Sequence, residues 1–391
     1  MTSIMLASTA SNIGGMERVV CGLARGLSAA GAEVRTFFPE DDNADELRRW
    51  CLDQGVDAEI HPAVLDAAAP HSPGSARALR QLVRDVDPDI VNLHYGDNFL
   101  SLWDVLGTRG AGLRRPVVAS IHHPTEWTGE SRRKRLMTAL GARVVNQVTT
   151  FAGATRTVLR EAGVPPGRIT VIPCGVDVPT TRIDRDSARR ALAIDDDVFV
   201  VGTLARLVEY KGVDKLIDAM DCEPLADTIL VVGGTGPVLP QLEDQAASAE
   251  HVDARFVGRL EDVGALFAAC DLFALPSRLE GFGLVYVEAA MYGVPSIATD
   301  VGGVSEAVRD GETGRLIRPD DVAALRSALV ELRTDDELRA RLGRAAEHRA
   351  VNELDEATMV RRYAELFAAL GAAGAADLAR RLFRDRAPEP S

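Results

Sequence analysis

The sequence predicts an α/β protein made of two doubly wound domains in tandem. Short β-branched runs alternate with longer amphipathic stretches along the chain, the pattern of βα units around a parallel sheet. The length of 391 residues is about twice that of a usual domain. The alternation breaks once, in a turn-rich and charged stretch that follows Pro173. We therefore expect two domains that face one cleft.

Six strands are predicted before the break, each followed by a loop and a helical stretch. They cover residues 4–8, 33–38, 90–94, 117–122, 147–151 and 169–172. We assign residues 1–178 to an N-terminal domain and residues 179–197 to a linker.

Six more strands are predicted after the break, at residues 199–204, 228–232, 255–257, 272–276, 296–299 and 315–317. Beyond Pro319 the pattern is helical to about Leu370. We assign residues 198–370 to a C-terminal domain. Residues 371–391 form a tail that either packs back or is frayed.

Composition excludes several classes of protein. The formal net charge of −14 has the wrong sign for a protein that coats nucleic acid. Five scattered cysteines, without a CxxC pair, favour neither a disulfide framework nor a zinc site. The N-terminal apolar stretch is typical of a first strand rather than a signal peptide, and no apolar run is long enough to span a bilayer. We expect a cytoplasmic protein.

In open parallel sheets, ligands bind at the carboxyl ends of strands, so we expect the functional residues in the loops there. After the first strand, Gly14 and Gly15 directly precede a helix, where backbone N–H groups can approach an anion or sugar hydroxyls. The alternative is a tight strand-to-helix turn. Neither this loop nor the one at Gly233 contains the GxGxxG of dinucleotide-binding proteins, which disfavours a dehydrogenase.

His122 lies at the end of the predicted strand VVASIHH. A histidine at a strand end in a ligand crevice is a candidate for chemistry. The alternative is a histidine that caps the strand structurally.

Two cations follow the first strand of the second domain. Arg206 lies just past the strand end, and Lys211 precedes Gly212 and a helix. Because a helix dipole and basic side chains can act on one anion, this arrangement suits a diphosphate. The alternative is a pair of solvated cations.

The stretch PSRLEGFGLVYVEAAMYGVPSIATDVGG is the most informative in the chain. Glu280 lies in a loop, Phe282, Gly283 and Leu284 can offer backbone N–H groups where a helix begins, and Glu288 lies one turn inside that helix. A carboxylate there is suited to accept hydrogen bonds from ribose hydroxyls rather than to face phosphate.

These features together resemble a family 4 glycosyltransferase (glycosyl transferases group 1) of the GT-B fold, with two Rossmann-like domains. The resemblance rests on the Arg206 and Lys211 pair, on Glu280 with seven residues before Glu288, and on the stretches VIPCGVD, ATDVGGVSE and GETGRLI. It extends from about residue 4 to about residue 350. Cys174 departs from the Asn that the family commonly has in the linker.

The resemblance implies retaining transfer of a sugar from a nucleotide diphosphate to an acceptor hydroxyl, without a cofactor or an obligatory metal. Family frequency favours uridine diphosphate. It assigns Arg206 and Lys211 to the diphosphate, Glu288 to the ribose, and Glu280 to the donor sugar. Phe282, Gly283 and Leu284 would give backbone contacts to the donor, His122 would be the cleft histidine, and Gly14 and Gly15 would line the acceptor side. The implied catalytic residues are His122, Arg206, Lys211 and Glu280.

The acceptor is addressed by the loops of the N-terminal domain. They carry Tyr95, Asp97, Asn98 and Glu126, together with Glu17, a polar set with an acidic bias. Such a set favours a small polyol, aminocyclitol or amino sugar, as in natural-product biosynthesis, and disfavours a phosphate. The alternative is an anionic lipid reached through the basic run of residues 132–135, which is otherwise a solvated helix face.

Other functions remain as alternatives. A nucleotide-sugar epimerase or hydrolase can share the two-domain architecture, and a nucleotide-binding regulatory protein can share the binding residues. The aspartate pairs Asp87 and Asp89, and Asp184 and Asp186, match the DxD of metal-dependent glycosyltransferases, but their places before a strand and in the linker indicate turn residues. The expected partners are a nucleotide sugar and a small polar acceptor, and the oligomeric state stays open.

Overall fold

The computed structural model describes residues 1–9, 13–64, 72–96, 100–110, 115–122, 132–260 and 262–384, and for residues 133, 383 and 384 the backbone only. The chain divides into two units, each built on one parallel sheet. The first unit combines residues 1–177 with residues 355–391, and the second comprises residues 178–354. All twelve predicted strands are confirmed, with ends that differ by at most two residues from the prediction.

The first unit alternates strands and helices as the sequence predicts. Its strands are β1 (Ser3–Ser8), β2 (Glu33–Phe38), β3 (Glu59–Ile60), β4 (Ile90–Tyr95), β5 (Val117–Ile121), β6 (Gln147–Thr150) and β7 (Ile169–Val171), and its helices are α1 (Gly15–Ala29), α2 (Ala44–Asp53), α3 (Pro73–Val86), α4 (Leu102–Arg109), α5 (Arg132–Val144) and α6 (Gly153–Glu161). The strand order is β3-β2-β1-β4-β5-β6-β7. The prediction missed β3, an edge strand of two residues that is too short to show a periodic pattern.

The central strands β1, β4 and β5 are almost completely buried, as expected where helices cover both faces of a parallel sheet. Their register places Ser8 opposite His94, and His94 opposite Ser120. The carboxyl ends of these three strands therefore lie side by side. His122, which directly follows β5, lies at this edge and donates its backbone N–H to the Tyr95 carbonyl at 2.9 Å.

The second unit has the same design. Its strands are β8 (Phe199–Leu204), β9 (Thr228–Gly233), β10 (Asp253–Gly258), β11 (Leu272–Leu275), β12 (Ser296–Thr299) and β13 (Gly314–Ile317), and its helices are α7 (Arg185–Ala191), α8 (Val213–Met220), α9 (Leu239–Ser248), α10 (Val263–Ala269), α11 (Leu284–Met291), α12 (Val304–Ala307), α13 (Val322–Thr334) and α14 (Asp336–Glu353). The strand order is β10-β9-β8-β11-β12-β13. Strands β9 and β10 lie on one side of β8, and β11 to β13 lie on the other. The switch point at which ligands bind in such sheets is therefore between β8 and β11.

The predicted linker of residues 179–197 is wrong in one respect, because most of it is a packed part of the second unit. Asp184 caps α7 by accepting from the Ser187 N–H at 2.8 Å. Arg189, only 1% exposed, donates to Asp271 at 2.9 Å and to four backbone carbonyls. A buried guanidinium with these partners fixes α7 against α10 and the start of β11.

The predicted extent of the C-terminal domain is also wrong, because the chain returns to the first unit at Asp355. Helix α15 (Glu356–Ala369) buries Met359, Val360, Tyr363 and Phe367. It packs on α1, where Gly26 allows close approach of Val360. The sequence of an amphipathic helix does not indicate which domain its apolar face packs against. The prediction therefore assigned α15 to the domain of the residues that precede it in the chain.

The tail forms a further helix, α16 (Ala375–Arg384), that packs against α15. Arg381 donates to the Ala30 carbonyl at the end of α1, at 3.1 Å. Of the two expectations for the tail, the structure therefore has it packing back as far as residue 384. Within the described ranges, no helix combines the length and hydropathy of a bilayer-spanning segment.

Candidate active site

Two loops of the second unit meet at the carboxyl edge of its sheet. They follow β8 and β11, which are neighbouring strands. Lys211 Nζ lies 2.5 Å from Glu280 Oε2, and the two side chains are 16% and 13% exposed. Two residues predicted for the donor site, 69 positions apart, thus form a largely buried ion pair.

Glycines allow these loops to approach so closely. Gly212 has φ +71°, and a Cβ there would lie closer than 3.0 Å to the Pro276 carbonyl oxygen. Gly302 has φ +55°, and its Cβ would lie equally close to the Glu280 carbonyl oxygen. Both positions require glycine for conformation and for space. The loop that carries Glu280 is therefore in close backbone contact with Gly212 on one side and with Gly302 on the other.

Arg278 holds the second loop in place, and the sequence analysis did not single it out. Its guanidinium donates to both Asp214 oxygens, at 3.1 and 2.9 Å, and to Asp320 at 2.7 Å. The hydrogen bond with Asp214 raises the pKa of Arg278 above its usual value. Arg278 therefore connects the loop that carries Glu280 to helix α8, whose N-terminus carries Gly212.

Arg206 differs from Lys211 in that its side chain is exposed. Its neighbour Leu207 is fully buried and donates its N–H to the Thr235 carbonyl at 2.9 Å, which fixes the loop. Among the described residues, no ion pair is formed by Arg206. The guanidinium is thus presented to solvent beside the buried Lys211 and Glu280 loop.

Helix α11 begins at this edge, as predicted. Gly283 precedes it with φ +84°, Phe282 is 4% exposed, and Leu284 is its first residue. Tyr286 Oη donates to the Leu275 carbonyl at 2.7 Å, which fixes the helix start against the end of β11. The first backbone N–H groups of the helix offer donors to an anion. Glu288 lies in the second turn and is partly exposed.

In the first unit, the predicted acceptor-side glycines begin helix α1. Gly14 is the extended residue before the helix, and Gly15 is its exposed first residue. Glu17, in the first turn, is 3% exposed. Burial raises the pKa of Glu17 to about 7. Hydrogen bonds from the backbone N–H groups of Glu17 and Gly14 lower this pKa, but by less than burial raises it. This carboxyl therefore does not present a fixed negative charge at neutral pH.

His122 is partly exposed, and its ring contacts those of His94 and Phe151. Its Nε2 lies 2.9 Å from Nδ1 of His94, which is fully buried. Its ring also packs on Phe151, at 4.4 Å between centroids. The structure thus places His122 at the carboxyl edge of the first sheet, and adds His94, which the sequence analysis did not consider.

Tyr95 does not lie where the acceptor prediction put it. It is 2% exposed, belongs to the hydrophobic core, and its Oη lies 3.3 Å from Asp104 Oδ2. Its position in β4 is inside the sheet rather than in the following loop, so its side chain packs under α4. The other acceptor-side residues of that prediction, Asp97, Asn98 and Glu126, lie outside the described residues.

The aspartate pairs have structural roles. Asp89 accepts from the Ser3 N–H at 2.9 Å, and Asp87 pairs with Arg115 at 2.7 Å. Asp184 is the cap of α7. These contacts fit the interpretation of turn residues.

The basic run begins helix α5. Arg132 and Lys134 are exposed, and Arg135 donates to the Glu161 carbonyl at 2.9 Å. On the same helix, Leu136 is 56% exposed and Leu140 is 38% exposed. Residues four apart share a helix face, so α5 presents two large apolar side chains beside cations.

Family models match most of the chain in two parts. The model "Glycosyltransferase Family 4" matches residues 13–179, and "Glycosyl transferases group 1" matches residues 184–349. The two matches meet close to the boundary between the units.

Curated relatives and a solved structure match along most of their lengths. A Mycolicibacterium smegmatis protein is 32% identical over 85% of this chain and 90% of its own, and is named "GDP-mannose-dependent alpha-(1-6)-phosphatidylinositol monomannoside mannosyltransferase". A Corynebacterium aurimucosum protein named "D-inositol 3-phosphate glycosyltransferase" is 28% identical over 88% of this chain and 89% of its own. The crystal structure of Anabaena HepE with UDP superposes with a TM-score of 0.80 and 22% identity, over 94% of this chain and 100% of that one.

Proposed function

This chain belongs to the family 4 glycosyltransferases, with their GT-B fold, and from that premise we propose that it transfers a hexose from a nucleoside diphosphate sugar to a phosphate-bearing inositol acceptor at an anionic membrane surface. The activity class, glycosyl transfer, follows from the family. The donor, the acceptor and the residue roles are the proposal.

The relatives support an inositol acceptor. The Mycolicibacterium protein is named for a phosphatidylinositol monomannoside, and the Corynebacterium protein for D-inositol 3-phosphate. An inositol ring that carries a phosphate is common to both names. The first name also contains GDP-mannose, which we propose as the first donor to test. A UDP-sugar, expected from family frequency, is the second.

The exposed face of helix α5 carries the membrane part of the proposal. Residues 132–144 contain five cations and no acidic residue, within a chain of net charge −14. Leu136 and Leu140 are exposed on this helix, and Trp103 and Leu106, each 37% exposed, lie on the adjacent α4. Apolar side chains flanked by cations are typical of a helix that lies on an anionic lipid surface.

A small polyol, aminocyclitol or amino sugar as acceptor is less well supported. That expectation depended on an acidic bias in the N-terminal loops. Among the described residues, Glu17 is the acidic member of that set, and its burial and raised pKa remove its own contribution to that bias. The structure also gives Tyr95 a core position.

We assign the donor to the second unit. Arg206, Lys211 and the N-terminus of α11 neutralise the charge that develops on the departing diphosphate, the largest catalytic contribution in this account. Glu280 holds the Lys211 ammonium in place at 2.5 Å and lies near the donor sugar. Phe282, Gly283 and Leu284 offer backbone contacts, and Glu288 accepts from the ribose hydroxyls. The transfer retains the donor's anomeric configuration and proceeds without an obligatory metal.

The transfer assay tests this function directly. Labelled GDP-mannose and UDP-glucose are each offered with phosphatidylcholine vesicles that contain phosphatidylinositol or its monomannoside, with soluble D-inositol 3-phosphate, and with phosphate-free inositol or aminocyclitols. We expect transfer to a phosphate-bearing inositol. Transfer confined to phosphate-free acceptors would contradict the proposal, as would consumption of donor in the absence of any acceptor.

Paired variants test the membrane surface separately. Leu136→Gln with Leu140→Gln should weaken cosedimentation with vesicles containing phosphatidylinositol, because buried apolar area drives such binding. Leu52→Gln, at a leucine of α2 that is 49% exposed, is the matched control and should cosediment like the wild type. Equal cosedimentation of the three proteins would contradict docking through α5.

A further inference from the structure

His94 is a buried histidine for which no role has been assigned. It lies in β4, one strand away from the end of β5, and its side chain is fully buried. Its Nδ1 is 2.9 Å from Nε2 of His122, a hydrogen-bond distance. One of the two nitrogens must donate and the other must accept.

His94 is uncharged in this contact. Burial lowers the pKa of His94 to about 3, so the ring is neutral throughout the range in which a glycosyltransferase is assayed. A neutral imidazole carries one hydrogen, on either Nδ1 or Nε2. The position of that hydrogen decides the direction of the bond.

The surroundings of His94 Nε2 favour one position. Within the described parts of the chain, this buried nitrogen has no hydrogen-bond partner. If His122 donated, the His94 hydrogen would be on Nε2, as a buried N–H without an acceptor. If His94 donates from Nδ1, the unpaired group is a bare ring nitrogen. Unpaired buried N–H groups are rarer in proteins than unpaired acceptors, so His94 is the donor.

We propose that His94 is a positioning residue that fixes the tautomer and ring orientation of His122. His94 Nδ1–H donates to His122 Nε2, so a neutral His122 carries its hydrogen on Nδ1 and acts there as a donor. The Phe151 ring, at 4.4 Å, restrains the other side of the imidazole. The inference rests on the proposed glycosyl transfer only in that His122 has the role of cleft histidine that the family resemblance implies.

Ring-nitrogen NMR of the full chain tests the tautomers without any assay of activity. The protein is labelled with ¹⁵N-histidine, and the signals of the two residues are assigned by comparison with His94→Phe and His122→Ala. We expect hydrogen on Nδ1 of both rings at neutral pH. Hydrogen on Nε2 of His94, or on Nε2 of neutral His122, would overturn the inference.

Two substitutions of His94 separate positioning from packing. His94→Asn places an amide close to the position of Nδ1 and keeps a donor, whereas His94→Phe keeps a ring and removes it. We expect His94→Phe to lower kcat about 10- to 100-fold, the usual effect of losing an orienting partner, with the donor KM unchanged. His94→Asn should recover most of that loss. His61→Phe, at a histidine beside the edge strand β3 in the same unit, is the control.

The outcomes also separate this inference from the proposed function. If His122→Ala keeps full transfer, then His122 has no part in the reaction, although the NMR result on His94 still stands or falls alone. If His122→Ala abolishes transfer and His94→Asn is as slow as His94→Phe, then His94 acts through packing and the inference is wrong.

Discussion

Gly212→Ala tests whether the ion-pair loops require the close approach seen in the second unit. The substitution adds one methyl group at φ +71°, closer than 3.0 Å to the Pro276 carbonyl oxygen. Gly311→Ala is a matched control. Gly311 has φ +69° and lies before β13, at the amino ends of the strands. Among the residues that the structure describes, a Cβ there would meet only the Arg315 side chain, at 3.6 Å.

The two variants share one cost and differ in another. Alanine in the left-handed region costs about 1 kcal/mol, and this applies to both. At Gly212 the added carbon also displaces backbone, which costs about 1–3 kcal/mol more. In a unit of this size, the melting temperature should fall by roughly 3 °C for Gly311→Ala and by roughly 6–12 °C for Gly212→Ala.

Thermal unfolding measured with and without GDP and UDP is the assay. Gly212→Ala should lose most of the stabilisation that a bound nucleotide gives, because its loop moves Lys211 away from Glu280. Gly311→Ala should retain that stabilisation. Equal melting temperatures for the two variants would refute the steric argument, and full nucleotide stabilisation of Gly212→Ala would refute the link to the site.

Four further substitutions have distinct expected results. Arg206→Ala should slow transfer about 10²- to 10³-fold, as for loss of one preorganised donor to a developing anion, measured as kcat. Glu288→Gln should raise the donor KM with little change in kcat, because a ribose contact is equal in ground and transition states. Glu17 has a pKa of about 7 in the fold, above its value of 4.5 when unfolded, so its stabilising effect is complete below pH 4.5 and is lost as the pH rises through 7. Glu17→Gln should therefore gain up to about 3 kcal/mol in urea unfolding at pH 8 and little at pH 4.5. Tyr363→Phe removes contacts of 3.1 Å to two buried hydroxyls that also bond each other, and should cost about 1 kcal/mol in the same assay.

Strands were predictable from the sequence because their signal is local. A buried strand such as Phe199–Leu204 is a run of β-branched and apolar residues between turns, and its ends follow from those turns. The destination of α15 was not predictable, since its apolar face fits any apolar groove and its contact with α1 joins residues more than 300 positions apart. Helix α7 was taken for a linker because its sequence is turn-rich and charged, and because the partner of its buried Arg189, Asp271, lies 82 positions away in the chain.

The site was predictable where loop position alone decides it. Lys211 and Glu280 each follow a strand, and their meeting follows from the neighbouring order of those strands. Arg278 and His94 were missed because their importance depends on partners that the sequence does not place beside them. A burial signal was present at His94, within the apolar run IVNLHY, but such runs usually indicate only a core strand.

Calorimetric titration of GDP and of UDP into the full chain tests the central claim most directly, namely that the second unit holds a nucleoside diphosphate at Lys211. We predict that one of the two binds. Lys211→Ala should weaken that binding at least about tenfold, since a charge-assisted hydrogen bond contributes about 1.5–3 kcal/mol. Lys215→Ala, in helix α8 just after the Lys211 loop and paired with Asp218 at 2.9 Å, should bind like the wild type. Undiminished affinity in Lys211→Ala, or an equal loss in both variants, would contradict the account.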